Sequence, residues 1–206
     1  MSKEEFQRRL NVSRETIERL NHYEALIGKW NPKINLVASS TLADIWTRHF
    51  LDSAQLATFA PKSGVWLDLG SGGGFPALVL ASMLVDTHPD VSFTLVESDT
   101  RKAVFLRTVI RDLALKAKVL SHRIEEIPNQ KADVLSARAL GSLEKLVEYG
   151  NTHLDQNGVA LFPKGSSHKK ELEQARESWS FDFKTIASLT DPTAAIFAIK
   201  DIQRAK

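Results

Sequence analysis

The stretch Val65-Trp66-Leu67-Asp68-Leu69-Gly70-Ser71-Gly72-Gly73-Gly74-Phe75-Pro76 restricts this chain more than any other. A short apolar run leads into four glycines within five positions, and Pro76 opens a second apolar run, Ala77 to Ala81. Strand, tight turn and helix follow from that order. Glycine tolerates positive φ and lets a ligand approach the backbone closely. Proline at the first helical position gives up only an N–H that has no helical partner. The turn is therefore expected to aim backbone N–H groups at a ligand from a helix N-terminus.

Two glycine registers fit. Gly72-x-Gly74-x-x-Ala77 satisfies a dinucleotide fingerprint. Gly70-x-Gly72-x-Gly74 with Asp68 two residues ahead is the other. Asp68 favours the second. A carboxylate at the end of the first strand repels a pyrophosphate. It suits S-adenosylmethionine, which carries an ammonium and a sulfonium and no phosphate. The sign of the charge matters most where solvent is excluded. The expected cofactor is the methyl donor.

From residue 64 onward strand and helix signals alternate, the pattern of an α/β domain with a parallel sheet. Strands are expected over 65–69, 91–96, 118–121, 132–136 and 159–162, with helices over 76–85, 101–113, 143–149 and 167–179. Val104, Phe105, Thr108, Val109 and Leu113 are read as the inward face of the second of these helices, and Asn157-Gly158 as a turn. Segments 181–189 and 194–199, around Asp191-Pro192, read as an antiparallel hairpin at the sheet edge. Residues 1–60 read as a helical cap ahead of a donor-binding domain over 61–206. Ser2 with Glu5 fits a capping box, and Ser13 caps a longer helix striped by Ile17, Leu20, Ile27 and Trp30. That helix is expected to stop at Asn31-Pro32, because a residue before proline avoids the α region. One or two further helices are expected between Leu42 and Phe59.

Composition excludes more than it selects. The 206 residues contain no cysteine, so disulfides and thiolate metal sites are ruled out. The six histidines show no metal spacing, and no metal is expected. No apolar run approaches the roughly 20 residues of a membrane span, and residues 1–5 carry no apolar signal core. A cytoplasmic protein is expected. The formal net charge of +2 confines any nucleic-acid site to a local patch.

In an open α/β sheet ligands gather beyond the carboxyl ends of the strands. Those ends hold Asp68, Glu97, Ile124 with Glu125 and Glu126, Arg138 and Lys164. Glu97, ending the second strand, is placed to take ribose hydroxyls. The 124–126 trio borders the adenine edge. Arg138 stands among the small residues Ser136, Ala137 and Ala139, beside the expected reaction centre. Two absences narrow the reaction. RNA pyrimidine C5 methylation uses a cysteine nucleophile, and there is none. The Asn/Asp-Pro-Pro-aromatic segment of exocyclic-amine methyltransferases is replaced by Ser136-Ala137-Arg138-Ala139. A ring nitrogen with a free lone pair has no proton to lose, so attack needs positioning and a dry pocket rather than a general base.

Asn35-Leu36-Val37, Arg48-His49-Phe50-Leu51-Asp52-Ser53, Asp68 to Pro76, Arg101 to Leu106, Arg123 to Glu126, Ser136 to Ala139 and Lys164-Gly165 occur in that order. Together they resemble the glucose-inhibited division protein B family, bacterial 16S rRNA guanine-N7 methyltransferases, over about residues 13 to 200. The resemblance implies a Rossmann-like class I S-adenosylmethionine-dependent methyltransferase. Its sheet would have seven mostly parallel strands, with an antiparallel C-terminal hairpin and a helical N-terminal extension. It implies donor contacts at Gly70, Phe75, Glu97, Ile124, Glu125 and Arg138, around a loop made by Asp68, Gly72 and Gly74. Arg138 would serve the reaction itself. Arg48, His49 and Lys164 would line the RNA side. The partner would be 16S rRNA or the small ribosomal subunit, met by a monomer. Ala77 and Gly73 depart from the family pattern, where glycine and proline are common. A small-molecule methyltransferase and a non-catalytic ribosome-assembly factor with a retained donor pocket are the alternatives.

Overall fold

A computed structural model describes residues 1–205. Two helices open the chain, α1 (Lys3–Leu10) and α2 (Arg14–Ile34). Ser2 Oγ accepts from Glu5 N at 3.1 Å, and Ser13 Oγ accepts from Thr16 N at 3.1 Å, so both serines cap their helices, and of the capping box expected at Ser2 only the serine half is present among the described residues. The buried face of α2 is Thr16, Leu20, Tyr23, Ile27 and Asn31, a helical spacing that includes Tyr23. The helix does not stop at Asn31. Pro32 lies in its last turn, where both it and Gly28, whose carbonyl loses its helical hydrogen bond, are exposed. Asn31 stays helical because its Oδ1 accepts from Leu36 N at 2.7 Å and Val37 N at 2.9 Å, closing the chain after the helix. Asn35 ends it in the left-handed region.

The segment from Ser39 to Phe59 is helical but broken. A tight 3-10 turn (Ser39–Asp44) passes into a wide π turn (Trp46–Leu51), the short α3 (Asp52–Ala54) and another 3-10 turn (Gln55–Phe59). The π register turns Trp46, His49, Phe50 and Leu51 inward together.

Seven strands follow: β1 (Gly64–Leu69), β2 (Val91–Val96), β3 (Ala117–Leu120), β4 (Ala132–Ala137), β5 (Leu154–Lys164), β6 (Trp179–Ala187) and β7 (Ala195–Arg204). Between them run α4 (Ala77–Leu84), α5 (Thr100–Asp112), α6 (Leu143–His153) and α7 (His168–Ser178). The order across the sheet is β3-β2-β1-β4-β5-β7-β6. The first five are mutually parallel, and β7 inserts antiparallel between β5 and β6. The expected seven-stranded class I methyltransferase sheet is therefore present. Three local expectations are corrected. Asn157-Gly158 is not a turn; β5 runs through it as a bulge opposite β4, with residues 155–157 exposed. Val104 is 49% exposed, and Ala103, Phe105, Leu106 and Val109 form the buried face of α5. Helix α4 starts at Ala77, with Pro76 in the capping position.

Side chains alternate across β1, as a pleated strand requires. Trp66 joins one buried cluster with α2, the 39–59 segment, α4 and α5; Leu67 and Leu69 join the other, with α6 and α7. The N-terminal helices thus share one core with the sheet. Tyr23 stacks on Phe50, Phe75 and Phe105 at centroid distances of 5.7, 5.6 and 6.4 Å. The strand order reverses beside β1, and the carboxyl ends there are where ligands gather in an open α/β sheet.

Candidate functional site

The glycine loop leaves β1 at Leu69, with Gly70, Gly72 and Gly74 at φ of 64°, 55° and 91°. A Cβ on Gly74 would lie 2.5 Å from both Leu78 Cδ1 and the Tyr23 hydroxyl, so this position has no room for a side chain. The Tyr23 hydroxyl donates to Gly73 O, which ties the loop to the N-terminal helices. Three of the loop's N–H groups are spent on the protein itself. Ser71 N bonds Val96 O at 3.0 Å, Gly72 N bonds Glu97 Oε2 at 2.8 Å and Gly74 N bonds Ser71 O at 2.7 Å. Those three N–H groups are withdrawn from any phosphate.

Asp68 shares a sheet face with Trp66 and Ser136, the last directly opposite on β4. Trp66 Nε1 donates to Ser136 Oγ at 3.0 Å, and Ser136 Oγ donates to Asp68 Oδ1 at 2.6 Å. The side chain is 1% exposed, and Oδ2 is buried without a partner. Burial pushes its pKa up to about 7, against Ser136 and Arg138, which pull it down. A cation facing Oδ2 would relieve that cost.

Glu97 is also buried. Its two oxygens hold Gly72 N and Asp99 N, each at 2.8 Å, so it sets the loop while each oxygen keeps a lone pair for a hydroxyl. Ile124 is buried in the same cluster as Leu69 and Val96, beyond β3. Glu125 is exposed and accepts from the Tyr149 hydroxyl of α6; no bond joins it to Glu97 or to the loop.

Arg138, just past β4, is a hub. Its Nη1 meets Asp52 Oδ2 at 3.2 Å, its Nη2 meets His49 Nδ1 at 2.9 Å, and its guanidinium lies 4.9 Å from the centre of the Phe75 ring. The bonds fix the tautomer of His49. Thr41 Oγ1 donates its one hydrogen to Ala38 O at 2.7 Å, so the 2.7 Å contact from His49 Nε2 must be an N–H donating to Thr41 Oγ1. Nδ1 then accepts from Arg138. His49 is neutral: burial, helped by Arg138 and Arg48 and opposed by Asp44, lowers its pKa to about 4. Both ring nitrogens are taken, so His49 orients Arg138 and has no N–H left for phosphate. Lys164 is 10% exposed at its side chain and bonded to Glu171 Oε2 at 2.6 Å and Gly141 O at 2.7 Å. Arg48 remains exposed.

A cavity of about 420 Å³ opens on this side, lined among others by Arg48, His49, Arg138, Lys164, Asp191 and Ile196. That is the size of an ordinary small-ligand site. Among the described residues no three histidine, aspartate or glutamate side chains gather as metal ligands. The structure therefore brings together Asp68, the glycines, Phe75, Glu97, His49 and Arg138, and puts Arg48 and Lys164 on the adjoining cavity wall. Four further residues bind this assembly: Tyr23, Thr41, Asp52 and Ser136. Asp52 and Ser136 lie inside the segments singled out above. Tyr23 follows Leu20 by three on the same helix face, a spacing that locates it. A joined polar face against a buried carboxylate and a neighbouring dry aromatic wall suits a cationic cosubstrate and an acceptor without a proton to remove.

Comparison with known proteins agrees. The profile of the rRNA small subunit methyltransferase G family matches residues 16–195. The ribosomal RNA small subunit methyltransferase G of Cereibacter sphaeroides (strain ATCC 17029) is 53% identical over 201 residues, covering 97% of this chain and 98% of that protein. The protein of the same name from Ruegeria sp. (strain TM1040) is 48% identical over 195 residues, covering 95% of each. Among solved structures, M. jannaschii TYW2 in complex with AdoMet superposes with a TM-score of 0.59 at 13% identity, over 84% of this chain and 80% of that one. A SAM dependent methyltransferase from Aquifex aeolicus gives 0.57 at 15%, over 85% and 97%. The last two likenesses concern the fold.

Proposed function

The chain belongs to the rRNA small subunit methyltransferase G family, and on that premise we propose that it moves a methyl group from S-adenosylmethionine to N7 of one guanine in 16S rRNA. The observation that carries the donor half is Asp68 Oδ2, a buried carboxylate oxygen with nothing to bind in the protein. An ammonium fits it, and a phosphate does not. The loop spends the N–H groups of Ser71, Gly72 and Gly74 within the protein, which leaves fewer donors for a phosphate.

In this reading Asp68 takes the donor's ammonium, Glu97 its ribose hydroxyls, and Gly70, Gly72, Gly74, Phe75 and Ile124 its apolar surfaces. Glu125 stands at the adenine edge, held in place by Tyr149. When bound, the donor supplies an electrophilic methyl on a sulfonium. Everything else is positioning. Arg138 is pinned by Asp52, His49 and Phe75 with one face toward the cavity, where a guanidinium can meet an acceptor oxygen while the ring nitrogen is aligned. Guanine N7 has no proton, so the site needs no general base, and His49 has both nitrogens engaged. The aromatic wall of Tyr23, Phe50 and Phe75 keeps water from the sulfonium side. Arg48 and Lys164 border the path of the RNA strand. Residues 1–60 act as a cap on the donor-binding domain, 61–206. A monomer working in the cytoplasm completes the reading; among the described residues no helix is long and apolar enough to cross a membrane.

The relatives' names point to ribosomal RNA, which disfavours both a small-molecule acceptor and a purely structural role. The test is transfer of labelled methyl from S-adenosylmethionine to small-subunit RNA, followed by mapping of the modified base. Label on a single guanine, lost in RNA already methylated by the protein, is expected. No transfer to RNA or to small subunits, despite donor binding, overturns the assignment.

A further inference from the structure

The polar groups around the cavity are nearly all committed to one another. Arg138 is held by Asp52 and His49, and Lys164 by Glu171 and Gly141 O. Asp52 Oδ1 accepts from Thr190 Oγ1 at 2.8 Å and Gln55 Nε2 at 3.0 Å, and Gln55 Oε1 accepts from Leu189 N at 2.9 Å. Glu171 also accepts from Leu143 N and Ser167 Oγ. Two charges are left over. Asp191 uses Oδ1 for Thr193 N at 2.8 Å and Thr193 Oγ1 at 2.7 Å, and among the described residues its Oδ2 has no partner. The Arg48 guanidinium likewise makes no hydrogen bond or ion pair among the described residues, and it lies near enough to Asp191 to help hold that carboxyl ionised, after the larger effect of Thr193. Asp191 is fixed in place as well: the loop that carries it is tied to the helical segment through Thr190 and Leu189.

Guanine brings a definite demand to such a wall. Its N7 and O6 lie on one edge, which the reaction turns toward the donor and Arg138. Its Watson–Crick edge, next to that one, carries N1–H and the 2-amino group, two donors that lose water when RNA covers the cavity and must then find acceptors. We propose that Asp191 is the specificity-determining residue of the acceptor pocket, accepting from the N1–H and 2-amino group of the target guanine, while Arg48 takes a phosphate of the same strand. This rests on the function proposed above. Adenine in the same pose turns a bare N1 acceptor toward the carboxylate and has no amine at C2, so it is repelled. The shared cavity of about 420 Å³ has room for one nucleotide.

The experiment uses small-subunit RNA carrying either guanine or inosine at the methylated position; inosine keeps N7, O6 and N1–H and lacks only the 2-amino group. Wild-type protein should prefer guanine about 10-fold or more in kcat/KM, the usual effect of stranding a charged acceptor. Asp191→Asn should lower kcat/KM on guanine by about 10- to 100-fold and bring the guanine-to-inosine ratio close to 1. Calorimetric affinity for S-adenosylmethionine should be unchanged in the variant, which shows that it is folded. Asp191→Ala, which removes both oxygens, should likewise lose the preference. Wild-type turnover on guanine in Asp191→Asn, or an undiminished preference over inosine in either variant, overturns the proposal. Wild-type protein that methylates neither RNA overturns the functional assignment itself, a separate outcome.

Discussion

Replacing Asp68 by asparagine should make the free protein more stable and the donor site weaker. The carboxyl is 1% exposed and its pKa in the fold is about 7, against 3.8 in the unfolded chain. A folded pKa above the unfolded one means that the native state holds the proton more tightly. The favourable contribution is complete below 3.8 and is lost as pH rises through 7. At about pH 8 the full shift of roughly 3 units corresponds to about 4 kcal/mol of destabilisation. Asparagine keeps Oδ1 as the acceptor for Ser136 but puts an amide where Oδ2 had no partner. Stranding that amide costs about 1–3 kcal/mol. The net gain for Asp68→Asn at about pH 8 is therefore about 1–3 kcal/mol, and it should shrink by about 2–3 kcal/mol on going to pH 5, where the wild-type carboxyl is protonated in the fold.

Donor binding should run the other way. An ammonium opposite Oδ2 needs the ionised carboxylate, so wild-type affinity for S-adenosylmethionine should rise about tenfold between about pH 6 and pH 7.5. Above about pH 8 the donor's own α-amino group loses its proton and the gain should reverse. Asp68→Asn should bind weakly and show no rise below pH 7.5. Denaturant unfolding and titration calorimetry across this range measure both effects. A wild-type affinity that is flat from about pH 5.5 to 7.5, or donor binding of wild-type strength in the variant, would refute the placement of the carboxylate against the ammonium.

Other perturbations separate the parts of the site. Asp52→Asn should misplace Arg138 and cut kcat by about 10- to 100-fold with a smaller change in RNA KM, whereas Thr190→Val, which breaks the loop tether to Asp52 Oδ1 and a bond to Ser188 but leaves Oδ2 on Arg138, should spare kcat; equal losses in both would deny Asp52 a positioning role. Tyr23→Phe leaves Gly73 O unpaired in a buried place and should weaken donor binding by about 1–2 kcal/mol in calorimetry, while unaltered affinity would show that the loop holds without it. His49 is held neutral with a folded pKa of about 4 against 6.5, so its contribution is present above 6.5 and is lost as pH falls toward 4, about 2–3 kcal/mol in all once its partial exposure is discounted; His49→Gln should remove that acid-side loss in unfolding titrations, and an unchanged slope would contradict its being held neutral. Arg48→Ala should raise RNA KM and lower the salt dependence of binding by about one phosphate's worth, and an unchanged slope would take Arg48 off the strand.

The parts legible in the sequence share a property: their pattern is local. The glycine loop, the alternating strands and the hairpin order all appear as spacing along the chain, and the sheet formed as expected. Asp68 and Arg138 were visible because they end strands. The partners of these residues were not. Nothing in a row of letters says that Asp52 lies 3.2 Å from a guanidinium 86 positions later, or that Tyr23 closes over Gly73. The pairing that took Lys164 out of the pool of free cations, with Glu171 on α7, is likewise tertiary. Pro32 and Asn157-Gly158 misled for a related reason. A local rule against helix or strand was outweighed by Asn31 capping its own helix end and by β4 accepting a bulged neighbour.

The same tertiary pairing explains how one buried acid can be both a liability and a tool. Asp68 has a single hydrogen-bond donor from Ser136, itself fixed by Trp66, so the fold orients the carboxylate without neutralising it. A second donor at Oδ2 would lower the pKa and remove the strain, and would also leave nothing for a cation to gain. Arg138, which lowers the Asp68 pKa without offsetting its burial, is held by three contacts, to Asp52, His49 and Phe75. The effect of those contacts is to keep two opposite charges of one site from satisfying each other. Stability is withheld from the free protein at Asp68, and donor binding releases it. A chain whose Arg138 was freed from Asp52 should therefore let the guanidinium swing toward Asp68, binding the donor less well while unfolding less readily at neutral pH.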